Sequence, residues 1–347
     1  VRVVFLSTCT RPAGFRQDPA FIYRCENLGH ALRAKGLDVD WDHVFTWRRS
    51  KTVSCAVIHR PRLGFRTWRL VRRLKAMGTR LVADIDDLVF DEAYARFSPA
   101  VRNGLARLGR LQRRFREQRA AIKWFDHITV STEALRDHAH RCFPGKPVTV
   151  LHNAVHWEWR RTVHQPNAAA EGRCRTITYL PGTRSHDRDF ALIADPLTRF
   201  LRSHREFRLR ITGPLGFRLD LPADQLQTGH KVPFSGYHEQ FRDAWVNLAP
   251  LEETPFNHCK SALKAMEAGY WGVPTICSPN PDFARFEAAG ALPAGGADEW
   301  LQRLEQLADD GHYHRLTENL RERTLQLADV NARADQFIDE VLGQADG

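Results

Sequence analysis

At 347 residues the chain is too long for a single compact core and predicts two domains. Its 43% hydrophobic and 27% charged residues describe an ordinary globular composition, which excludes a disordered or fibrous chain. No apolar run approaches the roughly 18 residues a membrane-crossing helix requires, and the N-terminal VRVVFLS passes from a strand into a turn without the organisation of a signal peptide.

In chain order, short Val/Ile-rich segments alternate with helical ones. Strands are predicted at Arg2–Leu6, Val53–Ile58, Arg80–Ile85, His127–Ser131 and Val148–Leu151, and helices at Phe21–Lys35, Phe65–Met77, Ala100–Lys123 and Thr132–Arg141. Strands that are apolar along their whole length suit a parallel sheet covered on both faces. The polar stretch HQPNAAAEGR at 164–173 breaks the alternation and reads as a linker. Further strands are predicted at Thr176–Leu180, Phe207–Thr212, Val232–Gly236, Trp245–Ala249 and Val273–Ser278, and the chain is mostly helical from His312 to Leu342. The expected architecture is α/β: two Rossmann-like domains with a ligand cleft between the C-terminal ends of their strands.

Seven cysteines at scattered spacings, with no CxxC, fit reduced thiols in a cytoplasm. The chain begins without an initiator Met, as would a piece of a larger multidomain chain or one relieved of a tag. The net charge of +10 is unevenly spread: eleven Arg or Lys residues and no acid lie between Asp42 and Asp84. In LGFRTWRLVRRLKAM, Leu70, Leu74 and Met77 share one face and Arg66, Arg69 and Arg73 an adjoining one, with Phe65 and Trp68 beside them. Such a face is either simply solvated or attracted to anionic lipid or a polyanionic acceptor; no nucleic-acid-binding signature accompanies it. The spacing of His138, His140 and Cys142 is read as placing them on different helical faces, as surface residues and not metal ligands.

Two stretches carry chemistry. From His258 to Tyr270, Ala262, Ala265, Met266 and Gly269 recur at helical spacing, followed by Gly272 and Pro274 and the strand VPTICS. This places Lys260 in the helix's first turn, where a cation opposes the helix dipole; a phosphate met by free N–H groups, Lys260 and the Ser261 hydroxyl would account for it. In YLPGTRSHDRDF, at 179–190, Gly182 and Thr183 make a tight turn between strand and helix, and Arg184, His186 and Arg188 add positive charge. ADIDDLVFD ends a strand in Asp86 and Asp87, either a turn and helix cap or a catalytic or acceptor-binding pair, and His59 and Arg60 end another strand at the same edge. No GxGxxG and no P-loop is present, which speaks against dehydrogenases and ATPases.

GTRSHDRDF at 182–190 and NLAPLEETPFNHCKSALKAMEAGYWGVPTICS at 247–278 resemble glycosyltransferases of the GT-B fold, similar to family 4, the group 1 transferases, and to its bacterial surface-polysaccharide subgroup. YRCENLGHALRAKG at 23–36, ADIDDLVF at 83–90 and VSTEALRDH at 130–138 look like N-domain segments of the same enzymes. The resemblance implies an acceptor domain at 1–165, a nucleotide-sugar donor domain at 174–330 and a helix at 331–347 returning to the first.

By the same resemblance Lys260 and Ser261 hold the donor diphosphate, Gly182, Thr183 and Arg184 face it from the other side, and Glu267 contacts the ribose. The loops at Gly213 and at Gly236–Tyr237 hold the base, and Asn257 and Glu253 lie near the sugar. One departure is that Cys259 stands eight residues before Glu267, where the family has an acid; Glu252 and Glu253 lie upstream. The implied reaction is metal-independent transfer, with retention, from a nucleotide-diphosphate sugar to a polysaccharide or lipid-linked glycan; the protein is expected in the cytoplasm, its basic face offering peripheral contact with the inner face of the cytoplasmic membrane, and no nucleic acid is expected. Lys260 and Arg184 would stabilise the leaving charge. A UDP-sugar 2-epimerase or a non-catalytic glycan- or partner-binding module of the same fold are the alternatives.

Overall fold

Residues 1–48, 52–162, 175–216 and 219–343 are described by a computed structural model of the chain. Two parallel sheets organise them. The first contains β1 (Arg2–Ser7), β2 (Asp38–His43), β3 (Cys55–His59), β4 (Arg80–Ile85), β5 (His127–Val130) and β6 (Val148–Val150), in the order 2-1-3-4-5-6. The second contains β7 (Arg175–Tyr179), β8 (Phe207–Thr212), β9 (Leu226–Gly229), β10 (Ala244–Ala249), β11 (Thr275–Cys277) and β12 (Ala291–Pro293), in the order 12-11-10-7-8-9. Every pairing is parallel, and β1, β3, β4, β5, β7 and β10 are buried along nearly their whole length, as helices on both sides require.

The end of the chain belongs to the first domain. Val330, Ala334, Phe337 and Val341 lie in one cluster with Val3, Phe5, Phe21, Leu28 and Leu32, the Phe337 ring 6.3 Å from that of Phe5. Gln336 Nε2 donates to the Val150 carbonyl, and Lys35 pairs with Asp335. The long helical tail therefore ties the two halves together.

Several expectations require correction. β2, β9 and β12 add to the expected strands: DVDWDH has three acids in six positions, and all three are edge strands with little hydrophobic signal. The segment Val232–Gly236 is not a strand; a 3₁₀ turn, Phe234–Phe241, begins there. The helix expected over Ala100–Lys123 is two helices, Pro99–Arg102 and Leu108–Ile122, separated by Gly104 at φ 69°. The buried face of Phe65–Lys75 centres on Thr67, Val71 and Leu74. His138 and Cys142 are not surface residues: four apart, they share a buried face and both meet Asp91, at 3.6 and 3.7 Å. The linker expected at 164–173 lies outside the described residues. The six described cysteines are all free, and no helix of the described residues is long and apolar enough to cross a membrane.

Candidate functional site

In open parallel sheets, ligands bind beyond the carboxyl ends of the strands where the winding reverses direction. In the second sheet that point lies between the neighbours β7 and β10, and the loops that follow them are 180–186 and 250–262. In the first sheet it lies between β1 and β3, followed by the loops 8–18 and 60–64, with the β4 loop alongside.

On the second domain the helix after β10 is shorter than its periodicity suggests. It spans Leu263–Tyr270, and Lys260 is extended, at φ −73° and ψ 142°. The reason is Asp282, whose Oδ2 accepts the Ala262 N–H at 2.7 Å and so ends the preceding turn and starts the helix. The cation in the first turn is thus Lys264, not Lys260. Lys264 Nζ donates to the Leu180 carbonyl at 2.5 Å, at the end of β7. Burial holds the Lys264 ammonium below its ordinary value, Glu267 and Asp189 oppose that, and Lys260 adds to it. Lys260 itself is half-buried with its Nζ 5.6 Å from the Phe256 ring. Burial also lowers His186, whose Nδ1 is 2.8 Å from Asp189 Oδ2, and both lysines press it further down. Lys260, Lys264 and the β7 loop therefore form one positive corner.

The other side of that corner is open. Gly182, Thr183 and Arg184 are exposed, and a Cβ on Gly182 would meet nothing within 4 Å. Gly213, at the end of β8, is tightly constrained: φ is +133°, and a Cβ would lie 2.2 Å from the Pro181 carbonyl oxygen. The Gly216 N–H donates to Asp187 Oδ1 at 2.9 Å, seating the 213–216 loop on the loop of Arg184.

On the first domain, β3 and β4 end in a buried cluster of charge. Asp84 receives Arg24 Nη2 at 2.6 Å, Thr129 Oγ1 at 2.9 Å and His59 Nδ1 at 2.8 Å. Burial alone would raise the Asp84 carboxyl, but Arg24 and His59 outweigh it and hold it below its ordinary value. Asp86 is engaged through both oxygens by Arg60, one contact at 2.8 Å, and is held far below the carboxylate range against the effect of burial. That bond orients Asp86 and disfavours its protonation. Arg60 reaches it from a left-handed backbone, φ 46°, unusual for a residue with a side chain. Two buried atoms of histidine and aspartate side chains at this edge have no hydrogen-bond partner: His59 Nε2 and Asp87 Oδ1. Potential ligand atoms of Cys25, His59 and Asp84 lie within 4.8 Å of one another. A cation there would compete with Arg24 for Asp84, and burial pushes the Cys25 thiol well above its ordinary value, so the trio is a poor metal set.

The two edges meet. Tyr23 donates to Glu267 Oε1 at 2.6 Å and Tyr237 to Oε2 at 3.0 Å. Asn153 Nδ2 donates to Ser261 Oγ at 3.0 Å, while its Oδ1 lies 3.3 Å from Arg24 Nη1, so Asp84, Arg24, Asn153 and Ser261 form one chain across the cleft. Arg102 and Arg188, from opposite domains, both donate to Glu252, which is held below its ordinary value chiefly by its bond to Arg102. Phe256 and Cys259 pack into the first domain's core, and Thr132 Oγ1 donates to the Cys259 carbonyl.

Several expected site residues are therefore otherwise engaged. Glu267 and Tyr237 are bonded to each other. Asn257 Nδ2 donates to the Glu252 carbonyl, its Oδ1 being buried without a partner. Cys259 is a core thiol pushed up to about 12 by burial, and Glu252 is fixed by its arginines. Glu253 is exposed. Sequence reasoning gave no role to Tyr23, Arg24, Asp84, Asn153 or Lys264; only Lys264, in the KSALK stretch, carried a usable signal.

Two doubly wound parallel sheets that face one another across a cleft, with the last helix returned to the first, define the GT-B fold. No protein-family profile matches the chain, and no curated protein does. Solved structures do match. S. aureus TarM superposes with a TM-score of 0.57 at 10% identity, over 82% of this chain and 54% of its own, and a point variant of it is known with fondaparinux, alpha-GlcNAc-glycerol and UDP. The glycotransferase of kitacinnamycin matches at a TM-score of 0.52 and 12% identity, over 98% of both chains. A Listeria monocytogenes protein assigned as a UDP-N-acetylglucosamine 2-epimerase matches at 0.56 and 11%, over 100% of this chain and 96% of its own. The chain spans about half the length of TarM, and at these identities the likeness is one of fold.

Proposed function

We propose that the chain is a glycosyltransferase that moves a sugar from a nucleotide-diphosphate donor to a polysaccharide or lipid-linked glycan, with retention and without a metal. The observation that carries this reading is the positive corner of Lys260 and Lys264 at the second domain's switch point, opposed across the closed cleft by the Asp84–His59–Arg60–Asp86 cluster. In the transfer the bond from the anomeric carbon to the phosphate oxygen breaks and its electron pair leaves with the diphosphate. Lys260, Lys264 and Arg184 are suited to hold that charge in a site shielded from water. The acceptor oxygen bonds the anomeric carbon and releases its proton toward Asp87 Oδ1 or His59 Nε2, the unpartnered atoms of the facing edge. TarM's complex with UDP and the kitacinnamycin enzyme's stated transfer of sugar support the choice of donor and reaction. O-antigen, capsule or other envelope glycans are the acceptor class the sequence resemblance favours.

The test is thermal denaturation with UDP, GDP, dTDP, CDP and CMP, followed by incubation with the matching nucleotide-sugar and a glycan acceptor. A ligand at a hundred times its Kd adds about 2.7 kcal/mol of stability. Absence of any nucleotide effect would remove this reading. A UDP-sugar 2-epimerase is the second reading, favoured by the end-to-end match to the Listeria protein and by the titratable groups clustered at the first sheet's edge. Epimer formation without acceptor would select it.

A further inference from the structure

The two loops at the second sheet's switch point are bonded to one another through the short helix Asp187–Ala191 that follows the β7 loop. The Glu252 N–H donates to Asp189 Oδ1 at 2.8 Å, and Arg188 Nε donates to Glu252 Oε1 at 2.8 Å. Asp189 is buried, and its other oxygen lies 2.8 Å from His186 Nδ1, so one carboxylate serves both loops.

The first domain grips the pair with a single helical turn, Pro99–Arg102. Pro99 opens it and Gly104 ends it: at φ 69° the chain turns back, and the Leu105 and Ala106 N–H groups close on the Ala100 carbonyl at 2.8 and 3.0 Å. Arg102, at its end, gives Nε to Glu252 Oε2 at 2.8 Å and Nη2 to Oε1 at 2.9 Å. A bidentate guanidinium fixes direction as well as distance. The next residue reads backbone. Asn103 Oδ1 accepts the Arg188 N–H at 3.1 Å, and Nδ2 donates to the Ser185 carbonyl at 2.7 Å and to the Pro99 carbonyl of its own helix at 2.9 Å. Both N–H groups and the oxygen of the amide are thereby used. An aspartate of the same shape would turn a carboxylate toward two carbonyls.

An exposed ion pair alone contributes little to stability. Glu252, however, is only 11% exposed, and the contacts on it and on Ser185 and Arg188 hold the backbone that directs Arg184. The Arg184 side chain is 62% exposed, and the carboxylate beside it, Asp187, is 3.8 Å away. Its direction therefore follows the backbone that Asn103 holds.

We propose that Arg102 and Asn103 are positioning residues. From the first domain they fix the β7 loop against the β10 loop, so that Arg184 and the corner of Lys260 and Lys264 face one phosphate-bearing ligand together. Calling that ligand a nucleotide-diphosphate sugar rests on the transferase reading; the ordering of the loop does not.

The test has two arms, both on the full chain. In the first, amide hydrogen exchange is followed without nucleotide. The Arg188 and Glu252 amides should exchange about tenfold faster in N103D and in R102Q than in wild type, as loss of one or two hydrogen bonds predicts, while β1 and β10 keep their protection. In the second, turnover is measured with the nucleotide-sugar matched to the nucleotide that stabilises the wild type, UDP-N-acetylglucosamine where that is UDP. Both variants should lose about tenfold or more in kcat with donor KM within about threefold of wild type. A larger share of donor should be lost to water, and R102K, which keeps the charge, should fall between. Wild-type exchange in both variants overturns the proposal whether or not sugar is transferred. Faster exchange with unchanged kcat, or with a rise in KM alone, overturns the positioning role. A wild type that turns over no donor removes the transferase reading instead, and the exchange arm still decides whether Arg102 and Asn103 order the loop.

Discussion

The Tyr23 phenol donates to Glu267 Oε1 at 2.6 Å across the cleft, from 244 positions earlier in the chain, while Tyr237 serves the other carboxylate oxygen. Two hydroxyls on one carboxylate is the pattern a ribose diol would present. In the proposed function the ribose therefore displaces a phenol, and Tyr23, which belongs to the opposite domain, leaves as the cleft opens. Tyr23→Phe should bind UDP about tenfold more tightly, since a hydrogen bond to a charged group contributes about 1.5–3 kcal/mol. The empty variant should melt at a lower temperature, because Glu267 is left with one partner in a buried place. Calorimetric titration and melting curves check both. Unchanged UDP affinity would make Tyr23 a structural partner alone.

Lys260 and Lys264 are expected to separate. Lys260→Ala should leave the melting temperature within about a degree and weaken nucleotide binding tenfold or more. Lys264→Ala should do both, since the buried ammonium also holds the Leu180 carbonyl. A Lys260 variant with wild-type affinity would move the phosphate to Lys264.

Gly213 and Gly182 make a second contrast. Gly213→Ala forces a side chain into a backbone carbonyl from a left-handed φ and should cost more than about 2 kcal/mol. Gly182→Ala meets open space and should leave stability unchanged while hindering any ligand on the β7 loop. Denaturant midpoints for the two decide it.

Acid should destabilise the protein before its carboxylates titrate. His127, through burial and then Arg80, and His156, through burial and then His30 against Glu26, are both lowered to about 4. A histidine with a depressed folded value stabilises fully above its unfolded value near 6.5, and the contribution is lost as pH falls from there toward 4. At most about 3 kcal/mol is at stake for each. Unfolding free energies measured across this window should fall for the wild type and flatten for His127→Gln and His156→Gln. Flat wild-type stability would show that neither histidine is buried neutral.

Local sequence was enough for the central strands, because β1, β3 and β10 are buried on both faces and so are apolar at almost every position; Arg80–Ile85 and Phe207–Thr212 have the expected bounds. It was also enough for the turn at Gly182 and for the positive character of the β7 and β10 loops. It could not place the start of the helix at Leu263, because the group that sets it, Asp282, lies twenty residues beyond the Ala262 N–H that it accepts. Nor could it reveal that Glu267 is met by Tyr23 or that Asn153 links Arg24 to Ser261. Periodicity reports which face of a segment leaves water. Which carboxylate meets which hydroxyl depends on contacts between residues tens to hundreds of positions apart, and those are decided only when the two sheets close on one another.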